Sequence, residues 1–146
     1  MSYSGKFKPK NYKKYRGDPT KIFYRSLWER RFMVYCDNNS KIIEWGSEEI
    51  IIPYKSPLDQ KTHRYFPDFY VKYINKDKKV VREIIEVKPK KHLSPPKQPK
   101  RKTKRYLNEV ATYIKNQAKF KAAEEYCKDR RYSFRILTED QLLPKK

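Results

Sequence analysis

Glycine is nearly missing from this chain, with 3 in 146 residues. Neither G-x-G-x-x-G nor G-x-x-x-x-G-K-[ST] occurs, so no glycine-rich loop can cradle a dinucleotide or nucleoside triphosphate, and no nucleotide cofactor is expected. Cysteine is as scarce. Cys36 and Cys127 stand far apart, which excludes a disulfide framework and reads as two free thiols of a cytosolic protein. His63 and His92 are isolated and not at zinc spacing from them, which argues against a structural zinc. Long apolar runs are absent as well. Ile50-Ile51-Ile52-Pro53-Tyr54 is among the longest, far short of a membrane helix. The opening MSYSGKFKPK has no apolar segment, so neither a secretory signal nor a membrane partner is expected. Acids are the last shortage: 17 Asp and Glu stand against 37 Lys and Arg, a net charge of +20.

What is present is base and aromatic. Apolar residues make up 37% and aromatics 15%, so Tyr and Phe must carry much of the burial of one ordinary domain. The charge is unevenly placed. Residues 1–25 hold 8 bases and 1 acid, and residues 87–108 hold 9 bases and no acid. The stretch 26–86 between them is almost balanced, with 11 bases and 10 acids. Two basic segments around a nearly neutral body are the footprint of a polyanion binder, with nucleic acid the leading candidate. Neither segment shows the amphipathic helix that an anionic membrane surface would favour.

Local patterns predict an α/β chain. Residues 1–25 mix Lys13, Lys14 and Arg16 with six aromatics and no clear period, and read as an extended basic arm preceding a single domain, 26–146. Basic residues there can follow phosphates while aromatics stack on bases; packing of a few aromatics on the domain is the competing reading. Residues 26–38 have helical apolar spacing, with Ser26 as N-cap and Glu29 three residues on, a capping-box pattern. A strand is expected from residue 41, a turn at Gly46-Ser47 and a second strand over 49–53. Residues 63–74 alternate as a strand, with Pro67 implying an edge or bulge. After a turn at 75–78, residues 79–88 form its partner, with Ile85 and Val87 on one face and Ile84, Glu86 and Lys88 on the other. Four prolines in 89–103 forbid helix and ladder alike, so 88–105 is a basic extended loop. A long helix follows over 104–130, with Leu107, Ala111, Ile114, Ala118 and Ala122 as its expected buried stripe. A last strand spans 132–137, and Thr138 caps a final turn. The expected architecture is a mixed sheet of about four strands flanked by two helices.

The strand pair carries the chemistry. Pro67-Asp68 and Glu86-Val87-Lys88 lie on neighbouring strands, which can bring both carboxylates together at the end of the sheet. Two converging carboxylates in a basic protein suit a hard divalent cation, completed by water and substrate phosphate. Such an ion activates water and polarises phosphate, while Lys88 can stabilise the charge that develops. Exposed strand residues and an isolated capping box are the bland alternatives for these positions.

The stretch from Tyr24-Arg25-Ser26-Leu27-Trp28-Glu29 through Tyr65-Phe66-Pro67-Asp68-Phe69 to Glu86-Val87-Lys88-Pro89 resembles the TnsA-like endonucleases of the PD-(D/E)XK superfamily. The whole chain, including its Pro/Lys loop and the ending Phe134-Arg135-Ile136-Leu137-Thr138-Glu139, is similar to the head completion nucleases of T-even-type tailed bacteriophages. The resemblance implies a restriction-endonuclease-like core in which Asp68 and Glu86 ligate Mg²⁺, or Mn²⁺ in its place. Lys88 becomes the catalytic lysine, and Glu29 completes the metal site directly or through water. Lys90, Lys91, Lys97, Lys100, Arg101, Lys102, Lys104 and Arg105 join Lys13, Lys14 and Arg16 as the expected contacts to double-stranded DNA. The implied task is finishing a phage head by trimming packaged DNA before neck attachment. Portal or neck proteins are the implied partners, in the cytoplasm of an infected bacterium and in the virion head. A non-catalytic head or neck protein on the same fold, and a TnsA-like or repair endonuclease with another DNA target, are the rivals.

Overall fold

The computed structural model describes residues 3–143. In chain order the strands and helices are β1 (Gly5–Lys6), β2 (Phe23–Tyr24), α1 (Leu27–Asn38), β3 (Ile42–Ser47), β4 (Ile52–Lys55), β5 (Thr62–Tyr65), β6 (Phe69–Ile74), β7 (Val80–Val87), α2 (Lys104–Arg130), β8 (Ser133–Leu137) and α3 (Glu139–Leu142). The main sheet has four strands in the order β3-β6-β7-β8. Its first two pairings are antiparallel, and β8 returns parallel to β7 after the α2 crossover. This is the expected mixed sheet between two helices.

Strand alternation assigns the two faces. Phe69 and Val71 of β6 and Ile85 of β7 pack with Phe32, Met33 and Cys36 of α1. Tyr70 and Ile84 point the other way, into a second cluster with Ala123 and Cys127 of α2. Both cysteines are buried and unpaired, as expected. Val87 joins the α1 side, so the predicted division of this strand holds.

Several boundaries differ from the sequence expectation. Residues 63–74 are two strands, broken at Phe66-Pro67-Asp68. Pro67 has no N–H for the ladder, so β5 turns away to pair with β4 in a separate two-stranded sheet, and β6 starts afresh. The expected turn at Gly46-Ser47 lies inside β3; the chain turns one residue later, at Glu48, with φ 55°. In the Pro/Lys loop, Lys90–Leu93 form one 3₁₀ turn between Pro89 and Pro95. The expected stripe on α2 agrees only in its later part, where Ala118 and Ala122 pack half-buried on the second cluster. Asn116, Phe120, Ala123 and Cys127 are buried, whereas Leu107 and Ile114 are exposed. No residue of 104–115 is buried. That half of α2 faces the Pro/Lys loop across a groove, and only the later half lies on the sheet.

Residues 5–24 are not a free arm. Phe7, Tyr15 and Ile22 are core residues. Phe7 and Tyr15 stand edge-on to the fully buried Trp45, with ring centroids 5.9 and 4.8 Å away. The buried carboxylate of Asp37 accepts the backbone N–H of Lys10 and Asn11 at 2.8 and 2.9 Å. Arg16 N–H donates to the Trp45 carbonyl at 2.7 Å, so the segment lies along the outer edge of β3. Gly17 adopts φ +121°, which allows the predicted turn before Asp18-Pro19. Of the aromatics read as base-stacking groups, Phe7 and Tyr15 belong to the core and Tyr24 packs against it, whereas Tyr3, Tyr12 and Phe23 stay exposed.

Candidate active site

The β6–β7 hairpin fixes the first two acids. Phe69 pairs with Ile85, so one step further Asp68 faces Glu86 at the end of the sheet. Val87 N–H donates to Asp68 Oδ2 at 2.7 Å. The Tyr65 hydroxyl, at the end of β5, donates to Glu86 Oε1 at 2.6 Å. Lys88 is held at its backbone by an N–H bond to the Leu137 carbonyl, 2.9 Å, and its Nζ stands 3.6 Å from Glu86 Oε2. The break at Pro67 therefore has a positional use: it frees β5 to bring Tyr65 over Glu86 while β6 delivers Asp68.

α1 brings a third acid toward the same cleft. Ser26 Oγ accepts Glu29 N–H at 3.2 Å, as an N-cap does. Glu29 Oε1 accepts Arg25 N–H at 3.2 Å, one residue before the cap, so the capping box is not closed in the usual way. The Arg25 guanidinium pairs with Glu48. Among the described residues, no group of three or more His, Cys, Asp or Glu side chains converges as metal ligands. Glu29 thus shares the cleft with Asp68 and Glu86 but is not a direct third member of their cluster, because the Arg25 amide holds its carboxylate.

Electrostatics single out the pair. Burial, then the neighbouring Glu86 charge, pushes the Asp68 carboxyl well above its ordinary range, with Glu29 adding to the effect; Val87 N–H and Lys88 pull it back. Burial also raises Glu86, against the Tyr65 hydroxyl bond and Lys88. Glu29 is raised by burial, and Glu48 contributes in the same direction. Lys119 of α2 is pushed down by burial and by the Lys88 charge. The cleft that these groups line has a volume of about 650 Å³, and Arg64 and Phe66 stand at it too.

A larger groove, about 1120 Å³, opens beside it between the Pro/Lys loop and the first half of α2. Lys91 and Lys97 line it from the loop and Lys104 and Arg105 from the helix, with Tyr113 and Asn116 also facing it. Lys88 lines both cavities and so joins them.

The other expected contacts are scattered. Lys90 is tied to α3, its N–H to Glu139 at 2.7 Å and its Nζ to Asp140 at 3.3 Å. Lys100, Arg101 and Lys102 are exposed on the loop but do not line the groove. Lys14 Nζ donates to the Asn39 and Ile42 carbonyls, which satisfies chain ends beyond α1 instead of a phosphate. The Arg16 guanidinium lies over the Tyr70 ring, 4.9 Å from its centre, and Lys13 is exposed. None of Lys13, Lys14 and Arg16 lines either cavity. His63 bonds Asp59 at 2.7 Å, outside the cleft. Tyr65, Arg64 and Lys119 were not anticipated. Tyr65 sits three residues before Asp68, which is a usable signal once the Pro67 break is known. Lys119 carries none, because its place depends on how α2 is rotated over the sheet.

A family model described as TnsA-like endonuclease N terminal matches residues 39–139, a span that holds Asp68, Glu86 and Lys88 and starts after α1. Over 146 residues, 97% of this chain and 95% of the relative, the sequence is 47% identical to a protein named Head completion nuclease, from Enterobacteria phage T4. The resemblance inferred from the motifs is borne out by both matches.

Proposed function

The chain belongs to the TnsA-like endonuclease family, and from that premise we propose that it is a divalent-metal-dependent endonuclease that hydrolyses double-stranded DNA at Asp68, Glu86 and Lys88. The observation that carries the proposal is the convergence of two carboxylates, Glu86 buried and Asp68 half-buried, both held by fixed donors and both raised, with a lysine beside them. Hard oxygen donors with excess negative charge suit Mg²⁺, with Mn²⁺ as its substitute, since Mg²⁺ needs only one or two carboxylates besides water and phosphate. When bound, the ion supplies an activated water and polarises the phosphate. Asp68 and Glu86 hold their orientation through Val87 N–H and the Tyr65 hydroxyl. Lys88 offers its ammonium to the charge that develops on phosphate. Glu29 contributes negative charge from α1 and keeps Arg25 at the mouth of the cleft.

The near full-length relationship to a head completion nuclease supports a task in finishing phage heads: trimming packaged DNA at the head opening before the neck closes. The partners are then DNA and portal or neck proteins, in the cytoplasm of an infected bacterium and in the virion head. The test is incubation of the purified protein with linear, nicked and circular duplexes under Mg²⁺, Mn²⁺ or EDTA. Cleavage is expected with either metal and none with EDTA. Failure to cut any of these with either metal overturns the proposal.

The Pro/Lys loop, together with the groove it borders, is proposed as the path of the DNA backbone. Changing Lys97, Lys100, Arg101 and Lys102 together to Gln is expected to weaken binding across sequences. Each phosphate that is no longer neutralised should flatten the slope of log K against log salt by about 0.9. Fluorescence anisotropy over a salt series measures this. Unchanged affinity and slope, with failed attachment to heads, would instead make the loop a protein-docking element.

A further inference from the structure

The cations around the cleft are not equivalent. Arg25 is paired with Glu48, and Lys88 with Glu86. Arg64 is exposed and lies over the Phe66 ring. Among these four cleft-lining cations Lys119 alone is both half-buried and without an ion pair among the described residues; Arg64 also lacks one but is exposed. Its Nζ rests over the rings of Tyr65 and Tyr54, 5.5 and 5.9 Å from their centres. Tyr65 is the residue whose hydroxyl holds Glu86. The ammonium is thus fixed by two aromatic faces on the α2 side of the acid pair, while Lys88 approaches from the sheet.

A half-buried ammonium without a carboxylate partner is costly unless something anionic meets it, and ring faces offset only part of that cost. The cleft holds Asp68 and Glu86, which would repel a phosphate that entered unaided. Two cations from opposite walls remove that obstacle. We infer that Lys119 is a second phosphate-contacting residue, gripping the scissile phosphodiester from the α2 side while Lys88 meets it from β7. The inference rests on the proposed nuclease reading of this cleft. It assigns to the long helix a direct part in substrate handling, beyond packing and groove formation.

The variants Lys119→Met and Lys119→Arg test it, because Met keeps the length of the stem and Arg keeps the charge. Three quantities are measured: single-turnover cleavage with Mg²⁺, the affinity of the DNA-free protein for Mn²⁺, and the melting temperature. Lys119→Met is expected to slow cleavage by about 100-fold, as loss of one phosphate-directed donor does. Lys119→Arg should recover at least about tenfold of that loss. Mn²⁺ should bind Lys119→Met more tightly, because a like charge beside Asp68 and Glu86 is gone. A merely structural lysine would give the opposite sign: weaker Mn²⁺ binding, a lower melting temperature and no rescue by Arg. That pattern overturns the inference, as does cleavage by Lys119→Met within about tenfold of the unchanged protein. If Asp68→Ala is inactive while Lys119→Met cuts normally, only this inference falls. If the unchanged protein cuts no DNA with any metal, the nuclease reading falls and this inference with it.

Discussion

Asp68→Ala, Glu86→Ala and Lys88→Ala are each expected to reduce metal-dependent DNA cleavage by about a thousandfold or more. Each removes a group with no substitute in the cleft. Without Asp68 or Glu86, one member of the pair remains, with Glu29 held apart by Arg25 N–H, and a bound cation would lose one of the two carboxylates expected to hold it. Without Lys88, the charge developing on phosphate keeps Lys119, while Arg64 is exposed at the cleft and Arg25 is paired with Glu48. The effects should not add. Because the groups act as a unit, the double variant Asp68→Ala/Glu86→Ala should be about as inactive as either single one. DNA affinity should follow a different order. The two acid-to-Ala changes should tighten binding in EDTA, since they remove negative charge from the path of the phosphates. Lys88→Ala should weaken it slightly. Glu29→Ala should cost less activity than any of the three, because its carboxylate is engaged by Arg25 N–H outside the acid pair. Cleavage assays beside anisotropy in EDTA separate these effects. Three single variants that all cut normally would remove the chemistry from this site whatever the fold.

The same acids should make the metal-free protein less stable than it could be. Asp68 keeps its proton more strongly when folded than when unfolded, because burial and Glu86 disfavour its charge. Stability from that group is therefore fully present below the ordinary carboxylate range, about pH 4, and is lost as pH rises through the raised folded value. At neutral pH the folded protein is therefore less stable than it is near pH 4, as far as this group decides. Asp68→Asn removes the charge and leaves an amide oxygen able to accept Val87 N–H. In EDTA at pH 7–8 this variant should melt higher than the unchanged protein, by on the order of a few degrees. The difference should shrink toward zero as pH falls to about 4. Mg²⁺ should raise the unchanged protein toward the variant and move the variant little. Scanning fluorimetry over a pH series, with and without Mg²⁺, checks both effects. A variant less stable than the parent at neutral pH would mean that the pair is not held in mutual repulsion.

The sequence was most legible where local pattern and chemistry agreed. Alternation over 63–74 and 79–88 with a turn between them predicted the hairpin, which the structure holds over 69–74 and 80–87 in a register that brings Asp68 opposite Glu86. The α2 helix was readable from its length and period, but its buried side only in the later part. Leu107 and Ile114 look like core residues until the helix is seen to run alongside the loop for its first three turns. Glu29 fitted a capping box, and no pattern could tell that its carboxylate would take the amide of Arg25 in preference to that of Ser26. Lys14 and Arg16 looked like every other base in a basic segment. Their engagement with carbonyls and an aromatic ring depends on contacts 25 or more residues away in the chain. Pairing across such distances leaves no trace in local spacing.

The roof over Trp45 has a bearing on where this protein can be cut. The span matched by the family begins at residue 39, yet the indole of Trp45 is enclosed by Phe7 and Tyr15, from well before it. A fragment trimmed to the matched span would uncover that ring and the outer backbone edge of β3, an open invitation to strand pairing between molecules. The span that the family model matches is therefore smaller than the span that keeps this core covered, and the residues before it are the ones that composition presents as an extended basic arm.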